Sequence, residues 1–185
     1  MRIKNMMSVD LEDYFCDLPF EKWSKYESRV LKTTNKILEL FEKNKVKATF
    51  FTLGYIGEKF PNLIKEIDSR GHEIASHSYA HLDIRKVTKE KFESDLKKSV
   101  EILEKITGKK ILGFRAPYFS IDKKSFWAME ILSKYFTYDS SIFPVKTPLY
   151  GIKNAPRNIY KPNIIDPTII DSKSSLIEIP MATDR

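Results

Sequence analysis

Segments patterned as strands alternate with segments patterned as helices along this chain, and that alternation constrains the fold more than any other feature. Residues 3–9 (Ile3 to Val9) can serve as a first strand, and 46–53 form a β-branched and aromatic run bounded by Gly54. Between them Val30, Thr34, Ile37, Leu38 and Phe41 recur at the three-and-four spacing of a buried helical face. Pro61 opens a second helix carrying Leu63, Ile64 and Ile67, and Gly71 ends it before a strand at 72–76. A long helix runs from an N-cap at Thr88 through Phe92, Leu96, Val100, Leu103 and Ile106 to a stop at Gly108. Short strands at 111–114 and 136–138 flank a helix at 125–132, prolines from Pro144 to Pro167 mark a loop, and 176–180 is a last apolar run. Strands separated by helices run parallel and are joined by crossovers, so the fold class is α/β. A length of 185 residues fits one domain, spanning 1–185, better than two.

Composition narrows the function. With 42% hydrophobic and 31% charged residues the chain is an ordinary globular protein. Its formal net charge of +7 comes largely from lysines scattered over helices, not from a stripe with interleaved aromatics, which argues against a nucleic-acid partner. Cys16 is the single cysteine, so no intrachain disulfide forms. Asp10, Glu12 and Asp13 interrupt the N-terminal apolar run before any signal-peptide core, and no stretch is long enough to span a bilayer. Cytoplasmic residence is the default expectation.

Three chemically loaded segments each follow a strand: Asp10 to Asp13, His77 to His81, and Arg115 to Tyr118. In parallel α/β folds the C-terminal strand ends are where active sites gather. His77 and His81 are two of three histidines, four residues apart; in a turn of helix that spacing puts both imidazoles on one side, where they share a cation. A carboxylate from Asp10, Glu12 or Asp13 completes a two-histidine, one-acid set suited to zinc. In extended backbone Asp10 and Glu12 project from one face and Asp13 from the other, which favours Glu12 on the metal and Asp10 beside it as base. The alternative use of these acids is to cap a following helix. Arg115 carries a guanidinium able to hold Asp10 as a bidentate pair. Asp139, with Ser140 and Ser141, is placed to line a sugar-sized groove or to form a turn. Trp23, Trp127 and Tyr118 are candidates to stack on sugar rings, with Trp127 more naturally core, and His72 reads as structural.

The residues Ser8-Val9-Asp10-Leu11-Glu12-Asp13-Tyr14-Phe15, Lys47-Ala48-Thr49-Phe50-Phe51, Gly71 to His81, Phe114-Arg115-Ala116-Pro117-Tyr118 and Tyr138-Asp139-Ser140-Ser141-Ile142 occur in an order that resembles the polysaccharide deacetylases of carbohydrate esterase family 4. The Asp-x-Glu-Asp-Tyr-Phe form resembles a branch associated with bacterial exopolysaccharide production. The resemblance implies a distorted (β/α) barrel and a divalent metal, usually zinc, held by an acid and the two histidines. It also implies an aspartate base positioned by the arginine, and an N-acetylated glycan as substrate. On this reading Asp10 and Arg115 are catalytic, the ligands come from Glu12 or Asp13 with His77 and His81, and Pro117, Tyr118 and Asp139 contact substrate.

Two departures accompany the resemblance. The commoner family pattern has adjacent aspartates, whereas Leu11 and Glu12 separate Asp10 from Asp13 here. The family also carries a late Leu-x-His motif whose histidine is the general acid, and no histidine follows His81. Family members continue with further strands after the Met181 region, so the barrel is expected to be incomplete at its C-terminal side, through truncation or with a partner chain or second copy completing it. Alternative readings are a non-catalytic glycan-binding domain and an amidohydrolase acting on a non-sugar C–N bond.

Overall fold

In the computed structural model, residues 6–183 are described. Six strands, β1 (Met7–Leu11), β2 (Ala48–Thr52), β3 (Glu73–Ser76), β4 (Gly113–Phe114), β5 (Tyr138–Asp139) and β6 (Ile177–Glu178), form one parallel sheet in chain order. The helices α1 (Val30–Lys43), α2 (Gly54–Lys59), α3 (Pro61–Ser69), α4 (Lys89–Thr107) and α5 (Ala128–Tyr135) fall between them. A parallel sheet whose spatial order equals its chain order is the wall of a (β/α) barrel; β1 and β6 are the two edges of this arc.

Register separates the two faces of the sheet. Val9, Phe50 and Ile74 share one row, Ser8, Thr49 and Glu73 the next. Strand side chains alternate, so the apolar row faces the helices and the polar row faces inward. Phe50 and Phe114 pack with Leu38, Ile56, Ile64, Ile67, Phe92, Leu96 and Leu103 into a core with essentially no solvent exposure. Ser8, Thr49, Phe51, Glu73, Tyr138 and Ser140 instead line a cavity of about 580 Å³ that also touches Met7, Ile179 and Met181, at the seam between the two edge strands.

Helix α4 runs as its caps predict: Thr88 Oγ1 accepts the Lys91 amide at 3.2 Å, and Gly108 closes the helix at φ 69°. Other boundaries differ. Strand β1 reaches Leu11, so Asp10 lies within it and not beyond it; the expected strand residues Ile3, Lys4 and Asn5 lie outside the described residues. Gly54, read as a strand stop, begins α2, a helix too short to show periodicity. Helix α5 starts at Ala128, because Ser125 Oγ first accepts the Asp122 amide in a preceding turn. The His77–His81 segment is not a helical turn: Ser78 (φ 67°) and His81 (φ 52°) are left-handed, and the histidines converge through a looped backbone.

Candidate active site

Because the strands are parallel, the chain leaves β1 at Leu11, β3 at Ser76 and β4 at Phe114 on the same end of the sheet. Glu12, His77 and Arg115 are therefore the first residues past three strand ends.

The loop between the histidines is tied down from both sides. His77 N donates to Thr52 O at 2.9 Å, continuing the β2–β3 ladder by one bond. The first amides of α2, Gly54 N and Tyr55 N, donate to Ser78 O (2.9 Å) and Tyr79 O (3.2 Å). From the other side the buried Asp95 carboxylate of α4 accepts Tyr79 N at 2.7 Å and Ala80 N at 3.1 Å. Gly54 permits this because a Cβ there would sit 2.8 Å from Ser99 Cα and 2.9 Å from the Tyr79 ring. Left-handed backbone at two non-glycine residues is costly, and these hydrogen bonds hold it in place.

Within that frame Glu12, His77 and His81 bring one ligand atom each to within 4.8 Å of one another. His77 Nδ1 lies 2.8 Å from Arg115 O and His81 Nδ1 lies 3.2 Å from Cys16 O. A carbonyl only accepts, so each Nδ1 carries its proton and each Nε2 keeps its lone pair. Burial pushes the His77 imidazole below its ordinary pKa, opposed chiefly by the nearby Asp10 carboxylate, so the ring is neutral as a metal ligand requires. Glu12 Oε2 is buried without a hydrogen-bond donor and lies 2.8 Å from His81 Nε2. A carboxylate oxygen grouped with two imidazole nitrogens is a donor set that fits a divalent metal.

Arg115 Nη1 donates to Asp10 Oδ1 at 2.7 Å. The pair is single and not bidentate, because the rest of the guanidinium is committed: Nη1 also donates to Ser8 Oγ (3.0 Å), Nη2 to Ser140 Oγ (3.0 Å) and Nε to Ser140 O (3.1 Å). Its plane also stacks on Phe51, 4.0 Å from the ring centroid. Asp10 keeps Oδ2 free of this contact and its side chain is 30% exposed.

Asp13, the alternative ligand, is placed elsewhere. Its carboxylate accepts Arg29 N (3.2 and 3.1 Å), Val30 N (3.4 Å) and the Ser28 hydroxyl, satisfying the open amides at the start of α1 from 16 residues upstream. Asp139, expected to line a groove, is fully buried and bonded to Ser141; of that trio Ser140 reaches the seam cavity. Pro117 is buried and opens a turn in which Tyr118 (φ 58°) is half-buried, its ring 4.5 Å from that of His81. Burial, reinforced by Asp17, raises the Tyr118 phenol above its ordinary pKa, so it stays protonated. Trp23 is 1% exposed and packs in the core, so it offers no face to a sugar, while Trp127 is half-buried against the core with Phe92 set edge to face on it. His72 accepts the Ala48 amide at Nδ1.

Sequence reasoning missed Asp95, Gly54 and Glu178. Asp95 reads as one more charge on a lysine-rich helix; its spacing of three residues from Phe92, on the helix face that carries Leu96 and Leu103, was the signal. Cys16 contributes a carbonyl, while burial pushes its thiol up to about 12, leaving it un-ionised.

A family model described as polysaccharide deacetylase matches residues 22–134. A peptidoglycan-N-acetylglucosamine deacetylase from Bacillus cereus is 40% identical over 101 residues, 54% of this chain and 37% of that protein. A peptidoglycan deacetylase from Helicobacter pylori is 31% identical over 152 residues, 78% of this chain and 51% of that protein. The chain thus spans about half or less of the length of these curated relatives. A crystal structure of a Mycobacterium smegmatis protein named for the same group superposes with a TM-score of 0.72 at 21% identity, covering 96% of this chain and 58% of that one, which establishes the fold. With that fold, and with the family match covering more than half of its length, the chain belongs to the polysaccharide deacetylase family.

Proposed function

We propose that residues 1–185 form a single deacetylase-like catalytic domain that hydrolyses N-acetyl groups of an amino-sugar polysaccharide, with Glu12, His77 and His81 holding a divalent metal, zinc by the character of the ligand set. The observation that carries this reading is the meeting, at one end of the sheet, of that donor set with the Asp10–Arg115 pair. A cation held there would supply Lewis-acid polarisation of the amide carbonyl and make water acidic enough to deprotonate near neutral pH. Asp10 Oδ2, the oxygen not engaged by Arg115, accepts the proton of the attacking water. Arg115 fixes the direction of that carboxylate through bonds to Ser8 on β1 and to the Ser140 loop. Water's oxygen bonds to the acetyl carbon, the C–N bond breaks as the leaving nitrogen takes up the proton held by Asp10, and acetate and a free amine result. Pro117 and Tyr118 form the wall beside His81 against which the acetamide group rests.

An N-acetylated glycan as substrate is supported by relatives named for N-acetylglucosamine and peptidoglycan deacetylation; the Asp-x-Glu-Asp-Tyr-Phe motif favours an exopolysaccharide over a cell-wall polymer. Among the described residues no helix is long and apolar enough to cross a membrane. Acetate release from N-acetylglucosamine oligomers, with zinc supplied and then chelated, tests the proposal. Release that survives chelation, or that persists in His77→Ala, would overturn it.

A second reading, a glycan-binding domain without turnover, is favoured by one feature: His72 packs between Ala48 and Phe50, so the chain's third histidine is not available to protonate the leaving amine. Oligomer binding with zinc bound and no acetate released would select that reading.

A further inference from the structure

Two carboxyl groups on neighbouring strands are left out of the mechanism above. Asp139 on β5 and Glu178 on β6 are register partners and both are fully buried. Adjacent buried carboxylates cannot both be ionised without a cation between them. The charged or titratable neighbours facing Glu178 are Asp139, Arg115 and Tyr160. Arg115 is already committed to Asp10, Ser8 and Ser140, and the Tyr160 hydroxyl donates to Pro167 O. Glu178 Oε1 accepts Ile142 N at 3.0 Å, while Oε2 is buried with no donor facing it. A proton on that oxygen, donated to Asp139, removes the anomaly.

The pair grips the loop that holds Arg115. Asp139 Oδ1 accepts the Ser141 hydroxyl at 2.6 Å, and the same hydroxyl accepts Ala116 N at 2.8 Å. With Ile142 N on Glu178, residues 140–142 are fixed from beneath, and Ser140 presents both its carbonyl and its hydroxyl to the guanidinium. Ser140 Oγ in turn donates to Ile179 O at 2.8 Å, the residue after Glu178.

We infer that Asp139 and Glu178 share one proton, Glu178 donating to Asp139, and that the pair acts as a positioning device for Arg115 and through it for Asp10. Its value to catalysis rests on the deacetylase reading, whereas the shared proton and the hold on Arg115 do not.

The test compares the intact chain with Glu178→Gln, which keeps a donor toward Asp139, and Glu178→Met, which keeps volume without one. Infrared difference spectra against Glu178→Gln should show the carbonyl band of a protonated carboxylic acid in the wild-type chain alone. The Arg115 Nε–H resonance should be protected from exchange in the wild type and the Gln variant, and exposed in the folded Met variant. In acetate release, Glu178→Met should lower kcat by on the order of tenfold to a hundredfold at unchanged KM, and Glu178→Gln should restore it. An acid band that survives Glu178→Gln, or Arg115 protection equal in the Gln and Met variants, overturns the inference. Absence of acetate release in every chain counts against the deacetylase reading, while the infrared and resonance arms still decide this one. Should Glu178→Met not fold, Asp139→Leu, which removes both carboxylate acceptors at similar volume, replaces it with the same expected loss of Arg115 protection.

Discussion

The Asp95 carboxylate accepts the Tyr79 amide at 2.7 Å and the Ala80 amide at 3.1 Å, so a side chain from the middle of α4 sets the backbone that carries His81. Removing it leaves the buried Tyr79 donor unpaired, at about 1–3 kcal/mol, and the partly buried Ala80 donor at a smaller cost. Asp95→Ala should lower Tm and also weaken zinc binding by roughly tenfold to a hundredfold, the scale for losing an outer support of a ligand. Calorimetric zinc titration of the folded variant checks this. A lower Tm with unchanged zinc affinity would show that the loop keeps its shape without Asp95.

Glu12 and Asp13 are adjacent and chemically alike, yet their partners predict opposite phenotypes. Asp13 binds the start of α1. Asp13→Ala should therefore cost about 1–2 kcal/mol of stability, as loss of a helix cap does, with zinc affinity retained. Glu12→Gln should abolish tight zinc binding with little change in the Tm of the metal-free protein, since Glu12 Oε2 has no hydrogen bond to lose. Paired zinc titrations and thermal melts separate the two, and loss of zinc in Asp13→Ala alone would reverse the assignment.

Arg115 serves Asp10, Ser8 and Ser140 from one planar fork. A lysine ammonium has the charge but neither the divergent donors nor the stacking face toward Phe51. Arg115→Lys should therefore fall close to Arg115→Ala, both losing about 10²-fold in kcat as Asp10 loses its orientation. Steady-state acetate release measures it. A lysine variant near wild-type activity would mean that charge alone suffices.

The sequence carried the fold wherever burial was periodic. The apolar faces of α1, α3 and α4 were legible because each repeats over several residues, and the run from Ala48 to Thr52 because it is β-branched and aromatic. Strands β4, β5 and β6 hold two residues each and α2 six, too few for a period to emerge. In the site, His77 and His81 stood out by identity and spacing, but a helical turn was the wrong reason: Ser78 and His81 adopt left-handed backbone that Asp95 and α2 impose from afar. Asp13 was ambiguous for the same cause, since its helix begins at Val30 and nothing local announces that the chain returns to it. Glu178 was invisible because a carboxyl group in an apolar run shows neither its partner strand nor its protonation.

Burial, reinforced by Asp139, raises Glu178 well above the ordinary glutamate value of 4.5. The folded chain then holds a proton that the unfolded chain releases, so unfolding stability falls as pH rises through the interval from the unfolded value up to the folded one. Below that interval the contribution is complete; above it the contribution is lost. Within it the slope is about 1.4 kcal/mol per pH unit for one proton. Glu178→Gln cannot ionise and keeps the donor, so its stability should lack this slope and overtake the wild type progressively as pH climbs from mildly acidic toward neutral and beyond. Urea unfolding of metal-free protein at a series of pH values gives the difference directly. Zinc is left out here because metal binding competes with protons at its ligands and would add a pH slope of its own. A wild-type minus Gln difference that stays constant with pH would place the proton elsewhere and leave Glu178 ionised in the folded chain.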